Sequence, residues 1–376
     1  MRSPAEMATV QIELTSSCVL KCSNCTRFCG THKVPFFMEF DLFKQAIDSL
    51  VGWVQEMPQG IVGFMGGEPL LHPQFSEFCD YALTKIPRER LGLWSTFPAK
   101  GNYPDKYREV ICRTFGNVLL NDHGRDDILH APVLMASEEY FRKRCPDCNG
   151  GGTSMTHAID DHHGENEKPP CETCKGAGDV FDERAMLAAT DHCWVQESWS
   201  AAINPKGAFF CEVAAAFTDL FDGPEGWKVE PDWWKRTPME FGEQRKYACR
   251  MCGAAMPIAR VRNSQDVRDD VSPGNLERLK AVGSRKVAKG EYAVREFEFD
   301  QKLTENHGYP FQSYKDMMYR KGIAARYGID LKINDRGYWE PILIPGDWRN
   351  PPAEKPTLYQ IAQARYSEMT ATAAKG

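Results

Sequence analysis

In the N-terminal part of the chain, segments with the apolar pattern of β-strands alternate with segments that have the apolar periodicity of α-helices. Four short stretches predict strands, at residues 8–14, 60–70, 90–97 and 117–124, and the first of them alternates and is rich in strand formers. The stretches between them repeat apolar residues at helical spacing and predict helices, at residues 39–55, 72–86 and 105–115. Strands that alternate with helices predict a parallel sheet, and the repetition indicates a whole or partial βα barrel.

This pattern stops at Cys145. Residues 145–178 are rich in Gly, Pro and charge and contain few apolar side chains, so they would need a cross-link or a metal in order to fold. Apolar residues return after them, and residues 199–210 predict a hairpin around an Asn-Pro-Lys-Gly turn. Residues 261–376 combine two predicted helices with a late strand, and they end in a tail that we expect to fray.

Composition narrows the function classes without selecting one. The 376 residues are 42% hydrophobic and 26% charged, which is usual for a globular protein. No apolar run approaches the length of a membrane span, and the N-terminus lacks the apolar stretch of a secretory signal, so we expect a cytoplasmic protein with no membrane partner. The net charge of −6 disfavours a general nucleic-acid surface, although a local basic groove would be hidden in that sum.

Fourteen cysteines are the unusual feature of the composition. In a reducing compartment they are not expected to form disulfides, and close pairs are better explained as metal ligands. Cys79 and Cys112 stand alone in apolar helical stretches, and we predict that both are small buried residues. The other twelve form three groups, at positions 18, 22, 25 and 29, at 145, 148, 171 and 174, and at 193, 211, 249 and 252.

The first group follows the first predicted strand, and Cys18, Cys22 and Cys25 have the spacing CxxxCxxC. This resembles the signature of radical S-adenosylmethionine (SAM) enzymes. The second predicted strand ends in Gly66-Gly67-Glu68-Pro69, which is similar to the GGEP motif of that family. The resemblance implies that the three thiolates hold a [4Fe–4S] cluster with one iron open to SAM, and that the second motif holds the amino group of SAM. A structural zinc or iron–sulfur site without catalysis is the alternative.

Other residues near these motifs are candidates for cofactor contacts. Ser95 and Thr96 lie at the end of the third predicted strand stretch and Asn121 lies toward the end of the fourth, so each is a positional candidate for binding SAM, with an ordinary loop residue as the alternative. Asn24 stands where the family commonly has an aromatic residue. Cys29 adds a fourth thiol, which is either a buried spare beside the cluster, a competitor for ligation, or a catalytic hydrogen donor.

The second group resembles the paired CxxCxGxG knuckles of the DnaJ-type zinc-binding domain. Cys145 and Cys148 form one half, and Cys171 and Cys174 form the other. Four thiolates satisfy a tetrahedral Zn²⁺, and such a closed site is structural. Metal binding would supply the folding free energy that this apolar-poor segment lacks. Three histidines between the halves are expected to be solvated, because the zinc has no position left for them: His157, His162 and His163.

The third group brackets the predicted hairpin and ends in a CxxC pair; it consists of Cys193, Cys211, Cys249 and Cys252. This arrangement resembles the twitch domain, the shortened SPASM domain of some radical SAM enzymes, in which four cysteines bind an auxiliary [4Fe–4S] cluster. The resemblance implies a second cluster with every iron ligated, and therefore a role in electron transfer. A second zinc site is the alternative.

These motifs together imply an α/β protein with a partial (β/α)6 radical SAM barrel, a small zinc-knuckle insertion and a C-terminal α+β auxiliary-cluster domain. The last hundred or so residues resemble no family that we can name. The expected boundaries are residues 1–144 for the barrel, 145–178 for the insertion, 179–192 for the end of the barrel, 193–260 for the twitch-like domain and 261–376 for a C-terminal α+β extension.

The resemblance also implies the type of reaction: reductive cleavage of SAM to a 5′-deoxyadenosyl radical, which abstracts hydrogen from a substrate. Oxidation of a small molecule or sugar is the first hypothesis, with a flavodoxin- or ferredoxin-type protein as the reductant. Radical modification of a peptide or nucleic-acid base, by cross-linking, epimerisation or rearrangement, is the second, and a non-catalytic metal scaffold is the third. Asp122, His123 and Asp126 are candidates for substrate contact, with a solvated loop as the alternative.

Overall fold

The computed structural model of the chain describes residues 1–7, 9–58, 60–96, 103–120, 131–152, 170–191, 193, 195–196, 200–256 and 266–296. Its strands are Thr9–Thr15 (β1), Ile61–Gly66 (β2), Leu91–Ser95 (β3), Asn117–Leu120 (β4), Arg142–Arg144 (β5), Asp179–Phe181 (β6), Ser200–Asn204 (β7), Gly207–Phe209 (β8), Asp269–Val271 (β9) and Tyr292–Val294 (β10). Six of them form one sheet in the order β4-β3-β2-β1-β7-β8. Neighbours from β4 to β7 are parallel, and β8 closes the edge in the antiparallel sense.

The helices of the described residues surround this sheet and extend beyond it. They are Phe40–Glu56 (α1), Phe75–Leu83 (α2), Tyr103–Lys106 (α3), Arg108–Thr114 (α4), Ser137–Tyr140 (α5), Glu183–Thr190 (α6), Glu212–Leu220 (α7), Gly242–Met251 (α8), Pro273–Ala281 (α9) and Arg285–Ala288 (α10). Two further two-stranded sheets pair β5 with β6 and β9 with β10. The chain is therefore a mixed α/β protein with a mostly parallel main sheet.

One face of the main sheet is apolar and packs against helices. Side chains alternate between the two faces of a strand, and Ile12 of β1 pairs in register with Phe64 of β2, so both lie on this face. The Phe64 ring meets Phe43 of α1 at 5.3 Å and Phe115, just after α4, at 5.1 Å between ring centroids. Phe43 also stacks on Phe78 of α2 at 4.1 Å. These aromatic contacts place α1, α2 and α4 on one side of the sheet.

The opposite face carries polar and small residues. Gln11 of β1 is in register with Gly63 of β2, and Glu13 follows on the same face. A Cβ atom on Gly63 would lie 2.2 Å from the ring of Trp94, so only glycine leaves room for that indole. Helix α7 packs on this face, where Asn204 Nδ2 donates to the carbonyl of Ala215 at 2.9 Å. The polar face is therefore covered by a later part of the chain rather than by the helices of the first repeats.

The structure confirms the predicted alternation of strands and helices as far as β4, the predicted hairpin (β7 and β8) and the first C-terminal helix (α9). The second predicted C-terminal helix and the late strand lie outside the described residues. Hairpin β7–β8 joins the main sheet beside β1, so the predicted barrel and the predicted auxiliary domain share one sheet. The (β/α)6 barrel and the domain boundaries stay predictions.

Two further expectations can be compared with the fold. Cys79 is buried as predicted, but the prediction for Cys112 is wrong because that side chain is exposed. Helix α4 buries Ile111 and Thr114 against the core and turns Cys112 outward. No helix within the described ranges is both long enough and apolar enough to cross a membrane.

Candidate functional site

The first cysteine group lies in the loop that follows β1, at the C-terminal end of that central strand. Cys18, Cys22 and Cys25 are half-buried, and Cys29 is buried. Interactions with the neighbouring Cys18 and Cys25 thiols, together with burial, raise the pKa of Cys29. Burial, together with the neighbouring Cys25 and Cys18 thiols, raises the pKa of Cys22. The backbone amide of Leu20 donates to Cys18 Sγ at 3.4 Å. The fold thus gathers all four thiols at one end of the sheet.

The second motif of the resemblance meets this loop through its main chain. Gly67 N donates to Thr15 O at 2.6 Å, and Glu68 N donates to Ser17 O at 2.8 Å. A Cβ atom on Gly67 would lie 2.0 Å from Ser17 O, and one on Gly66 would lie 2.3 Å from Thr15 O. Only glycine allows the two backbones to approach so closely. The glycines therefore join the end of β2 to the start of the cysteine loop.

Glu68 is buried, and four donors satisfy its carboxylate. Ser95 Oγ donates to Oε1 at 2.7 Å and Leu70 N at 3.2 Å. Thr96 donates to Oε2 through both its backbone amide and its hydroxyl, each at 2.8 Å. Burial raises the pKa of Glu68, while the hydrogen bonds from Ser95 and Thr96 lower it. Ser95 and Thr96, predicted as cofactor contacts, therefore orient Glu68, which precedes the single turn of helix that starts at Pro69.

A buried ion network beneath the cysteine loop was missed in the sequence. Arg27, only 4% exposed, reaches from the loop to the polar face of the sheet. Its Nε lies 3.1 Å from Glu13 Oε1, its Nη2 lies 2.7 Å from Glu212 Oε2, and Nη2 also donates to Gln11. Burial raises the pKa of Glu13 to about 8, although the Arg27 guanidinium lowers it. Nothing in the local sequence signals these partners, since Glu212 is distant along the chain.

The second cysteine group forms a compact and nearly symmetric centre. Cys145 Sγ lies 3.8 Å from Cys171 Sγ, and Cys148 Sγ lies 3.6 Å from Cys174 Sγ. Each half closes in the same way: Gly152 N donates to Cys148 Sγ and Gly178 N to Cys174 Sγ, both at 3.3 Å. Both glycines have φ between 70° and 80°, which side chains disfavour. The glycines of the repeated motif therefore wrap backbone amides around the sulfurs.

The third cysteine group lines one pocket, part of which is open to solvent. All four of its thiols contribute to the wall, together with apolar side chains such as Phe210 and Phe217. Burial raises the pKa of Cys211 and of Cys252, and the neighbouring Cys193 adds to both effects. The backbone amide of Ala254 donates to Cys252 Sγ at 3.3 Å. The end of α6, the end of the hairpin and α8 therefore bring together four thiols that are far apart in the sequence.

The distances between the sulfur atoms indicate which metal centre, Zn²⁺ or a [4Fe–4S] cluster, each set of cysteines fits. With Zn–S bonds of about 2.3 Å, a tetrahedral Zn²⁺ places its sulfurs about 3.8 Å apart. The second group matches this spacing, and among the described residues it is the one set of three or more Cys, His, Asp or Glu whose ligand atoms all lie within 4.8 Å. A [4Fe–4S] cubane binds each thiolate at a separate iron and needs a wider arrangement. The pocket of the third group and the open loop of the first are compatible with that larger group.

Several sequence-predicted candidates lie outside the described residues. They are Asn121, Asp122, His123, Asp126, His157, His162 and His163. Their suggested roles stay predictions. Two residues of the C-terminal extension, Asp269 and Lys286, contact the cysteine loop directly and were not anticipated. Neither composition nor a sequence motif indicates these contacts, because the folded chain decides which loop each of the two side chains reaches.

Two crystal structures of BtrN show a limited similarity to this chain. One, of BtrN in complex with AdoMet and 2-DOIA, has 15% sequence identity and a TM-score of 0.35, and the match covers 65% of this chain and 87% of the BtrN chain. The other, of selenomethionine BtrN in an open conformation, has 16% identity, a TM-score of 0.34 and coverage of 65% and 86%. Likenesses of this size establish neither family nor function. No protein-family model and no curated protein matches the chain.

Proposed function

We propose that the chain is a radical SAM enzyme in which Cys18, Cys22 and Cys25 hold a [4Fe–4S] cluster. The observation that carries this proposal is the main-chain pairing of the cysteine loop with residues 66–69, where Gly67 and Glu68 donate to the loop. Both motifs lie at the C-terminal ends of adjacent parallel strands, the edge at which such sheets assemble active sites. When bound, the cluster supplies the electron that cleaves SAM to methionine and a 5′-deoxyadenosyl radical.

The residues around Glu68 suit the binding of the ammonium group of SAM. The carboxylate is held in one orientation by Ser95, Thr96 and Leu70, and because these donors fill its acceptor positions, the ammonium would have to replace one of them. Ser95 and Thr96 act through Glu68 and are positioning residues in this proposal. Gly66 and Gly67 keep the backbone of the motif against the loop whose cysteines would hold the cluster, so the residues that would bind the two cofactors lie side by side.

The third cysteine group supports an oxidising reaction. Four thiols around an apolar pocket would ligate every iron of a second [4Fe–4S] cluster and leave no position for substrate. After the 5′-deoxyadenosyl radical removes one hydrogen atom, the substrate radical must lose one electron and one proton to complete a two-electron oxidation. A second cluster held by Cys193, Cys211, Cys249 and Cys252 would supply the acceptor for that electron, and solvent would supply the acceptor for the proton. A small molecule or sugar is the proposed substrate, and a flavodoxin- or ferredoxin-type protein is the proposed electron donor.

The second cysteine group is assigned a structural Zn²⁺ in this proposal. The sulfur separations of 3.6 and 3.8 Å and the two amide donors support that assignment. All four thiols are buried, so no ligand position is open to a substrate or to water. The insertion would therefore fold around the metal and take no part in the chemistry.

The proposal is tested by anaerobic reconstitution with iron and sulfide, reduction with dithionite in the presence of SAM, and chromatography for 5′-deoxyadenosine. Wild-type protein should contain about eight iron atoms per chain and form 5′-deoxyadenosine. Cys22→Ala should lose about half of the iron and all of the product. Cys112→Ala is the matched control, because that thiol is exposed and distant from the three groups in sequence. Wild-type protein with a full iron content and no product would contradict the proposal.

The buried Cys29 distinguishes this function from a non-catalytic scaffold. Because its thiol lies against Cys18 and Cys25, it is placed where a fourth ligand could close the cluster. If three cysteines ligate, Cys29→Ala should retain the iron of the loop and the cleavage of SAM. Loss of that iron in Cys29→Ala, together with an inactive wild type, would favour a closed cluster and the scaffold function.

The class of substrate is tested separately. Small molecules and sugars, peptides and oligonucleotides are added to the reconstituted protein, and the rate of 5′-deoxyadenosine formation is compared with the rate without substrate. We expect the small-molecule set to contain the activator. Stimulation by a peptide or oligonucleotide alone would reject the small-molecule proposal and leave SAM cleavage itself unaffected.

A further inference from the structure

A C-terminal segment connects the two candidate cluster sites. Residues 266–296, here called the bridge, contain β9, α9, α10 and β10, and they belong to the part of the chain that resembles no family. Strands β9 and β10 pair in parallel. Residues 266–270 and 285–286 of the bridge contact the N-terminal cysteine loop, and residues 275–278 contact the end of α8 and the nearby Leu134 and Glu138. It therefore touches both places where the proposed function requires a cluster.

Its first contact is with the backbone of the N-terminal loop. Ser23 N donates to Asp266 O at 2.6 Å, and Asn24 N donates to Asp269 Oδ1 at 2.7 Å. The Asn24 amide also forms a reciprocal pair with Asp270, with Nδ2 donating to Oδ2 at 2.8 Å and Oδ1 accepting from the backbone amide of Asp270 at 2.9 Å. Asn24 is buried and has φ of 50°, a conformation that Asn tolerates better than most residues. The bridge thus explains the asparagine before the third cysteine.

The second contact is a buried charge. Lys286 is 1% exposed, and its Nζ donates to Cys22 O at 2.8 Å and to Asp269 Oδ1 at 2.7 Å. The backbone amide of Arg285 donates to Thr31 O at 3.0 Å. A buried ion pair is costly to desolvate and gives little net stability, but it holds one arrangement firmly once both charges are paired. The pair lies directly on the carbonyl of a predicted cluster ligand.

The third contact is with the other candidate site. Asn275 Nδ2 donates to Met251 O and to Leu134 O, both at 2.7 Å, and Met251 immediately precedes Cys252. Arg278 pairs with Glu138, which also pairs with Arg250 of the same CxxC turn. One helix, α9, therefore holds the end of α8 that carries the second cysteine pair.

We propose that the bridge sets the relative position of the two clusters, with Lys286 and Asp269 anchoring the N-terminal loop and Asn275 anchoring the second site. This inference rests on the proposed function for its consequence, which is a fixed path for the electron from substrate to the second cluster. The three residues are positioning residues: they touch the chain that carries the ligands and no reacting atom.

The test compares Lys286→Met with Lys280→Met in the reconstituted full-length protein. Lys280 lies on α9 of the same bridge, is half-exposed and pairs only with Glu277 in the described structure, so it is the matched control. Hydrogen exchange of residues 18–29 is measured by mass spectrometry. Loss of a buried partner should make opening of the loop roughly 100-fold more frequent in Lys286→Met, and Lys280→Met should match the wild type.

Two further variants extend the test. Asp269→Asn removes the charge and keeps the shape, so it tests the anchor if Lys286→Met does not fold. Asn275→Leu should loosen residues 249–252 and leave residues 18–29 protected. In electron paramagnetic resonance of the reduced protein, the magnetic interaction between the clusters should change in Lys286→Met and in Asn275→Leu, and stay unchanged in Lys280→Met.

The outcomes separate this inference from the proposed function. If the exchange of residues 18–29 in Lys286→Met and Asp269→Asn equals that of the wild type, the anchor does not exist and the inference is overturned. If exchange increases but the interaction between the clusters stays constant, the bridge does not position them and the inference is also overturned. Failure of the wild type to cleave SAM would bear on the proposed function alone, because hydrogen exchange is measured without catalysis.

Discussion

The second and third cysteine groups contain four thiols each but are built in opposite ways. In the second group the thiols are the core: the four cysteines and the half-buried Val180 form a separate apolar cluster of their own. In the third group the thiols line a pocket in the wall of the main core, between the hairpin, α7 and α8. Four thiols that are themselves the core of a segment lie close together and suit a small ion such as Zn²⁺. Thiols that are positioned by a separate apolar core can lie farther apart and suit a larger group such as an iron–sulfur cluster.

The largest effect is expected at the second cysteine group, which among its described residues has no apolar core apart from its own thiols and Val180. Cys171→Ala should abolish zinc binding and unfold residues 145–152 and 170–178, because structural zinc sites contribute about 10–16 kcal/mol of folding free energy. Zinc content is measured by elemental analysis and unfolding by limited proteolysis. Iron content should stay at the wild-type value, since the other two groups do not depend on this insertion. A parallel loss of iron would show that the two kinds of site are not independent.

At the third group we expect the loss of a whole metal centre with little unfolding of the chain. Cys211→Ala should remove about four iron atoms per chain and leave zinc unchanged. The fold should persist, because Phe210, Phe217 and their neighbours still form the pocket wall. Elemental analysis and circular dichroism of Cys211→Ala are compared with Cys112→Ala, which should keep all of its metals. Unfolding of Cys211→Ala would mean that the core depends on the cluster, as the insertion depends on zinc.

The close approach of the two N-terminal motifs predicts an intermediate effect. Gly67→Ala places a Cβ atom 2.0 Å from a backbone carbonyl oxygen that cannot move freely, so we expect a loss of about 1–3 kcal/mol in the free energy of unfolding and weaker iron binding in the loop. Gly242→Ala is the control, because nothing lies within 4 Å of its Cβ position. Equal urea midpoints for the two variants would show that the main-chain pairing is not required.

The most gradual effect concerns pH and the ion network that supports the N-terminal loop, because it is spread over several pH units. Burial raises the pKa of Glu13 from 4.5 to about 8, so the folded protein keeps a proton that the unfolded chain releases. This contribution to stability is present in full below pH 4.5 and is lost as pH rises through about 8, at no more than about 1.4 kcal/mol per pH unit. The free energy of unfolding in urea should therefore decrease across that pH range in the wild type, and its slope with pH should be smaller in Glu13→Gln. Identical slopes would contradict a protonated Glu13.

Local patterns predicted much of the fold. The strands and helices up to β4 and the hairpin β7–β8 follow from apolar periodicity and turn residues, which act within a few positions of one another. The exposure of Cys112 was not predicted correctly, because one helical turn decides which residue faces the core and Ile111 and Thr114 take that direction. The placement of β7 beside β1 could not be predicted either, because strand order depends on packing between distant segments.

The candidate sites show the same division. The cysteine spacings and the double glycine are short-range features, and they indicate which thiols can share a metal and where two backbones can approach. The partners of Arg27 and the anchoring of Asn24 by Asp269 were decided only by the tertiary structure, since Asn24 and Asp269 are 245 positions apart. A contact at that separation has no local sequence signal, because it exists only after the sheet has brought the two segments together. The sequence alone determined the chemistry available to this protein, and the folded chain decided how those groups are held.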